Sequence, residues 1–268
     1  MSISHDLDYL DHLERESARF ASVLETAPSG ARVPTCPDWN ADDLLWHLGE
    51  VQWFWGTIVR DAVDADAAEQ MKPQRPANRP GLDEFYRSAS RELSAALSNT
   101  PPETPAWTWA DDQTVGFIRR RQAHEALIHR LDAELTAGSR SEMDARLSAD
   151  GVDEAIRIMY GGDLPPWGTF APGGTRTLRV KATDTGDSWF LTFGRFTGTD
   201  PTNQQTYDEA GIHAAGKDEG GAAAATISGA AADLDCWLWG RPTLAPLNRS
   251  GESAVLGDFD AIIAQGIN

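Results

Sequence analysis

Glu125 and His129 stand four residues apart in the stretch Arg119-Arg-Arg-Gln-Ala-His-Glu-Ala-Leu-Ile-His-Arg-Leu-Asp-Ala-Glu134. On a helix that spacing projects a carboxylate and an imidazole from one face, about one turn apart. His124 does not share the face of His129, because a step of five turns it roughly 140° around the axis. Two ligands on one helix need a third from elsewhere. His47 is the best candidate, because Leu44, Leu48, Val51 and Trp55 mark an apolar stripe beside it and turn it toward a core. Two imidazoles and one carboxylate suit zinc, which keeps three protein ligands and one open position when it is catalytic. Iron, nickel or cobalt could occupy the same set. A plainer reading stands beside this one: Glu125 and His129 belong to a charged helix face with Arg121 and Asp132, and His47 is a core histidine.

The elements that must carry these residues follow from periodicity. Leu7, Leu10, Leu13, Phe20, Val23 and Leu24 predict a first helix from about Ser4 to Thr26, stopped by Pro28-Ser-Gly30. The proline-punctuated turn from Val33 to Asn40 leads into a second helix that carries His47. Asn40 is its cap, and Asp42 and Asp43 are favourably placed against its dipole. Met71 to Pro80 reads as a loop, and Leu82, Phe85, Leu93 and Leu97 mark a third helix that ends at Thr100-Pro-Pro-Glu-Thr-Pro105. A fourth helix spans about Thr114 to Ala137. Four such helices make a bundle able to hold a metal between facing helices.

Beyond Ser139 the pattern changes to mixed structure. A helix near Ala149 to Tyr160 precedes a loop from Gly161 to Trp167. The segments Thr177–Thr183 and Ser188–Phe193 read as a hairpin around Asp184-Thr-Gly-Asp187. Ala222 to Ser228 predicts another strand, Gly216 to Gly221 a flexible loop, and Ala230 to Trp239 a helix ending at Gly240. The chain therefore divides into residues 1–145, an all-α four-helix bundle, and 146–268, an α+β domain.

With 268 residues and a formal net charge of -18, the chain lacks the basic footprint that phosphate binding requires, so no nucleic-acid partner is expected. Two cysteines, Cys36 and Cys236, are too few for a disulfide framework. The first residues lack a basic, apolar leader, and no segment is long and apolar enough to span a bilayer. A cytoplasmic protein with no membrane partner is the expectation.

The block Val33-Pro-Thr-Cys-Pro-Asp-Trp-Asn-Ala-Asp-Asp-Leu-Leu-Trp-His47, followed by Arg120-Arg-Gln-Ala-His-Glu125-Ala-Leu-Ile-His129-Arg-Leu-Asp132, resembles the mycothiol-dependent maleylpyruvate isomerase family. The resemblance implies a DinB-like N-terminal bundle and a sterol-carrier-like C-terminal domain. It implies a divalent metal, usually zinc, on His47, Glu125 and His129, the trio that spacing also selects. It also implies mycothiol as a cofactor whose sulfur takes the open metal position as a thiolate and adds to an electrophilic small molecule, as in maleylpyruvate cis-trans isomerisation. A mycothiol S-transferase acting on a xenobiotic or biosynthetic intermediate would use the same site. A different class, a binding protein for a small apolar ligand or lipid, is the remaining alternative.

Trp237-Leu-Trp-Gly-Arg241 resembles the family's late Leu-Trp-Gly-Arg motif, which implies that Arg241 binds a carboxylate of substrate or thiol cofactor. Equally, Arg241 follows a helix end and can satisfy its last carbonyls. Cys36 before a helix reads as a nucleophile or, more plainly, as a packed turn residue beside Trp39. Trp53, Trp55, Trp107, Trp109 and Trp167 can line a cavity or fill a core. Arg119–Arg121 reads as a solvated helix start or an anion-attracting patch. Asp132 reads as an orienting partner of His129 or a helix salt bridge.

Overall fold

The computed structural model describes residues 7–162, 164–214 and 222–267. The chain forms two compact units, Asp8–Glu142 and the stretch from Met143 onward. The expected helix start at Ser4 and the loop Gly216–Gly221 lie outside the described residues.

The first unit holds four long helices, α1 (Tyr9–Thr26), α2 (Ala41–Asp61), α4 (Arg79–Asn99) and α5 (Val115–Thr136), and the short α3 (Ala65–Gln70). Helix α1 begins where Asp8 accepts a hydrogen bond from the amide of Asp11. Helix α2 opens with a reciprocal cap. The Asn40 side chain accepts from the amides of Asp42 and Asp43, while the Asp43 carboxylate accepts from the amide of Asn40. Because this cap sets the start of the helix that bears His47, Asn40→Ala is expected to cost about 1 kcal/mol. A lower urea midpoint with unchanged slope is the signature to look for.

Small residues let α2 and α4 approach closely. A Cβ on Gly56 would lie 3.3 Å from the backbone of Leu93, and one on Gly49 would lie 3.2 Å from the Phe85 ring. Phe20, Leu24, Leu44, Leu48, Leu82 and Tyr86 fill the core beneath them. Helix α5, capped by Thr114, is buried around most of its circumference, including its charged residues Arg121, Arg130, Asp132 and Glu134. A helix so enclosed needs an internal partner for each charge, and those partners build the site described below.

Two features of this unit differ from the expectation. Helix α3 carries no apolar period and is a single capped turn and a half on Asp64. Helix α4 begins at Arg79, inside the stretch read as loop. Pro80 lies in its first turn, where the missing N–H would have no helical partner in any case.

In the second unit α6 (Ala145–Glu154) runs into a π-helical turn, Ala155–Tyr160. Five strands follow in the spatial order β3-β2-β1-β4-β5: β1 (Gly168–Ala182), β2 (Ser188–Thr199), β3 (Thr206–Ala214), β4 (Ala225–Gly229) and β5 (Asn248–Gly251). Helix α7 (Ala231–Leu238) and helix α8 (Ser253–Ile263) complete it. The β1–β2 hairpin is present, with Val180 opposite Trp189 and Leu178 opposite Leu191, but both strands extend well beyond the expected segments. β1 and β4 pair in parallel, and the other neighbours are antiparallel. Val180, Trp189, Leu191, Ile227, Leu234 and Phe259 form the core. Strands β3 and β5 were not foreseen because their side chains are largely exposed and leave no apolar alternation to read.

Candidate metal centre

His47 on α2 and Glu125 and His129 on α5 come together. One ligand atom from each lies within 4.8 Å of the others. Glu125 Oε1 is 3.1 Å from His129 Nε2 and 3.5 Å from His47 Nε2, and the imidazole centroids are 4.8 Å apart at 76°. Donors bound tetrahedrally at ~2.1 Å would stand about 3.4 Å from one another, close to the two Glu125–histidine separations, so this N,N,O cluster could hold a metal ion.

Surrounding groups fix each member. His129 Nδ1 lies 3.0 Å from Asp132 Oδ2 and its Nε2 3.1 Å from Glu125 Oε1, so each ring nitrogen faces a carboxylate oxygen. Asp132 is itself held by Thr35, whose hydroxyl donates to Oδ1 at 2.6 Å from the turn before α2. The other Glu125 oxygen, Oε2, accepts from Arg121, one turn earlier on α5 and buried. The Trp39 ring packs on His47 with centroids 4.6 Å apart and reaches within 6.3 Å of His129.

Burial opposes ionisation of Glu125, but Arg121 beside it and the hydrogen bonds from His129 and His47 hold its carboxyl well below the ordinary range. Burial likewise opposes the charge of His129, and the hydrogen bonds of Asp132 and Glu125 outweigh it, raising its pKa to about 9. Glu125 and Asp132 thus favour positive charge on the imidazole that lies between them. Asp132→Asn keeps the shape and removes the acceptor charge. It is expected to weaken zinc binding by roughly 10–100-fold, measured by competition with a chromophoric chelator, with the helical circular dichroism unchanged.

Other candidates fall elsewhere. His124 is buried with its ring edge-on to Tyr9 of α1. Cys36 is partly buried and packs with Trp39 against the core of the first unit. Arg119 donates to the carbonyls of Leu97 and Thr100 and Arg121 to Glu125, so the reading of this run as a solvated helix start is corrected. A single hydrophobic period predicts one wet face, whereas α5 has almost none. Trp55, Trp107 and Trp109 join Phe117 in one aromatic cluster, with Trp55 and Trp107 stacked at 6.0 Å. Trp167 belongs to the second unit, against Phe196 and Tyr207.

Sequence reasoning did not place Trp39, Thr35 or Arg121 at the site. Arg121 carried a usable signal, its spacing of four from Glu125. Thr35 carried none, being 97 residues from Asp132.

Arg241 ends α7. Gly240, at φ +69°, allows the amides of Gly240 and Arg241 to bond back to the carbonyls of Trp237 and Cys236, a Schellman stop. The Arg241 guanidinium donates to the Trp239 carbonyl at 2.6 Å. Beside this helix end the Tyr160 hydroxyl donates to the Leu238 carbonyl at 2.6 Å. Burial pushes that hydroxyl up to about 12, with Arg241 acting in the opposite direction.

Among the described residues no helix is long and apolar enough to cross a membrane. No curated protein sequence gives a significant match to this chain. Two crystal structures of the mycothiol-dependent maleylpyruvate isomerase, one of them a histidine-to-alanine mutant, share its fold. Their TM-scores are 0.57 and 0.58 at 14% identity, covering 94% of this chain and 97% of theirs. Residues 10–134 match the family model described as the mycothiol maleylpyruvate isomerase N-terminal domain, and residues 146–258 match the MDMPI C-terminal domain. With both halves matched in order and the fold shared end to end, the chain belongs to the mycothiol-dependent maleylpyruvate isomerase family.

Proposed function

We propose that the protein is a zinc-dependent enzyme that uses mycothiol to isomerise a small conjugated electrophile such as maleylpyruvate, with His47, Glu125 and His129 as the metal ligands. The observation that carries this reading is the braced two-histidine, one-carboxylate cluster between α2 and α5. When bound, the metal keeps a coordinated thiol ionised near neutral pH, and that thiolate is the nucleophile for reversible addition to an electrophilic double bond. The protein's own part is positioning. Asp132 fixes the tautomer and plane of His129, Arg121 holds Glu125, and Trp39 covers one face of His47. With His47, Glu125 and His129 as its protein ligands, a bound zinc would keep one position open for the thiol. Arg241, whose guanidinium suits bidentate recognition of a carboxylate, is assigned to binding the anionic end of substrate or cofactor.

The test is a mass balance. Zinc-loaded protein is incubated with mycothiol and maleylpyruvate and followed by NMR. An isomerase returns every equivalent of thiol and yields the trans alkene. Thiol retained in the product would instead establish the S-transferase alternative, and no thiol-dependent change with any electrophile would overturn the enzymatic reading.

A further inference from the structure

Gln122 lies on α5 three residues before Glu125 and seven before His129, so the three side chains leave the helix within about 60° of one another. It is 1% exposed, and neither its Oε1 nor its Nε2 has a hydrogen-bond partner among the described residues. Its neighbours one turn away on either side, Ile118 and Ala126, are fully buried and apolar and offer it nothing. Gln52 on α2 shows the contrast: it is equally buried, but its Nε2 donates to the Ser17 hydroxyl at 2.8 Å. A buried carboxamide unsatisfied at both ends loses its hydration without replacement, and a leucine would fill the same volume without that loss.

We propose that Gln122 is a recognition residue for the thiol cofactor, its carboxamide pairing with a neutral amide or hydroxyl group close to the cofactor's sulfur. The inference rests on the reading that a metal-bound thiol occupies the cluster. Three residues along a helix is about 4.5 Å, a separation that about four bonds span between a sulfur at the metal and a polar group further along the same molecule. A carboxamide both donates and accepts, so an amide or hydroxyl satisfies both of its ends. A carboxylate, which only accepts, would leave Oε1 facing negative charge.

The experiment compares wild type with Gln122→Leu, both zinc-loaded, by calorimetric titration with mycothiol and with ethanethiol, which has neither group. Zinc content, the KM of the electrophile and the thermal midpoint of the unliganded protein are measured in parallel. The expected result is a mycothiol Kd raised about 10–100-fold, with ethanethiol affinity, zinc content and electrophile KM unchanged and a midpoint equal or higher. Unchanged mycothiol affinity would overturn the assignment, as would a lower midpoint with unchanged affinity, which marks a purely structural amide. A raised electrophile KM with unchanged mycothiol Kd would move the amide to the other substrate and equally refute it. If the leucine variant does not fold, Gln122→Met is read in the same way. Wild type that binds no mycothiol with zinc present would bring down the proposed function, and this inference with it.

Discussion

Glu125→Ala is expected to yield protein without zinc and without thiol-dependent turnover, a rate loss of roughly 10³-fold or more, since a bound metal supplies several kcal/mol of transition-state stabilisation. Glu125 is the anion among the three proposed ligands. Its removal leaves two imidazoles to face a dication. It also removes a carboxylate from Arg121, whose side chain is 4% exposed and whose charge would then oppose the metal. Glu125→Gln separates charge from shape: it keeps the volume and a coordinating oxygen, so its zinc content should fall between the other two. Elemental mass spectrometry on tag-free protein, with zinc offered at neutral pH, reads all three. Full occupancy in the alanine variant would remove Glu125 from the ligand set.

Arg130→Met is expected to destabilise the helical unit by about 3–5 kcal/mol, the usual consequence of leaving buried carboxylates without their cation. Arg130, with a side chain 2% exposed, joins Glu16 of α1 at 2.7 Å to Glu134 of α5 at 3.0 Å and also donates to the Ser141 hydroxyl. Burial works against ionised Glu134, but the Ser141 amide, Arg19, the Ser141 hydroxyl and Arg130 together bring its pKa down from 4.5 to about 2. A carboxyl with a lowered native pKa stabilises the fold above its unfolded value and loses that contribution as pH falls through the native one. The gap between wild type and variant should therefore be widest above pH 5 and narrow toward pH 2. Urea titrations followed at 222 nm at several pH values measure it. A gap below 1 kcal/mol at pH 7, or one indifferent to acid, would show that the network contributes little.

Much of the site was legible because helices make spacing into geometry. The step of four joins Glu125 to His129, and the step of three brings Asp132 to the other side of the same imidazole. The stripe of Leu44, Leu48 and Trp55 is buried, whereas His47 beside it is only half-buried, its side chain 33% exposed. What could not be read was supplied by turns. Trp39 and Thr35 sit in a segment without periodicity, and only the folded path from Val33 to Asn40 brings them against α5. The same limit explains the sheet. The hairpin core is apolar and was foreseen, while β3 pairs through its backbone with little help from its side chains. Arg241 shows a different limit, since a motif that terminates a helix and a motif that binds an anion are spelled alike until the carbonyls are placed.

The pairing of α1 with α5 has a consequence for biosynthesis. Arg19 and Glu134 are 115 residues apart, so at ribosomal rates of ~5–20 residues per second α1 waits roughly 6–23 s for the helix that neutralises and covers it. Glu125 and His129 travel on that same late helix, and the proposed cation site would be completed only as the bundle closes. Metal uptake on a nascent chain would then report finished assembly of the bundle rather than its onset.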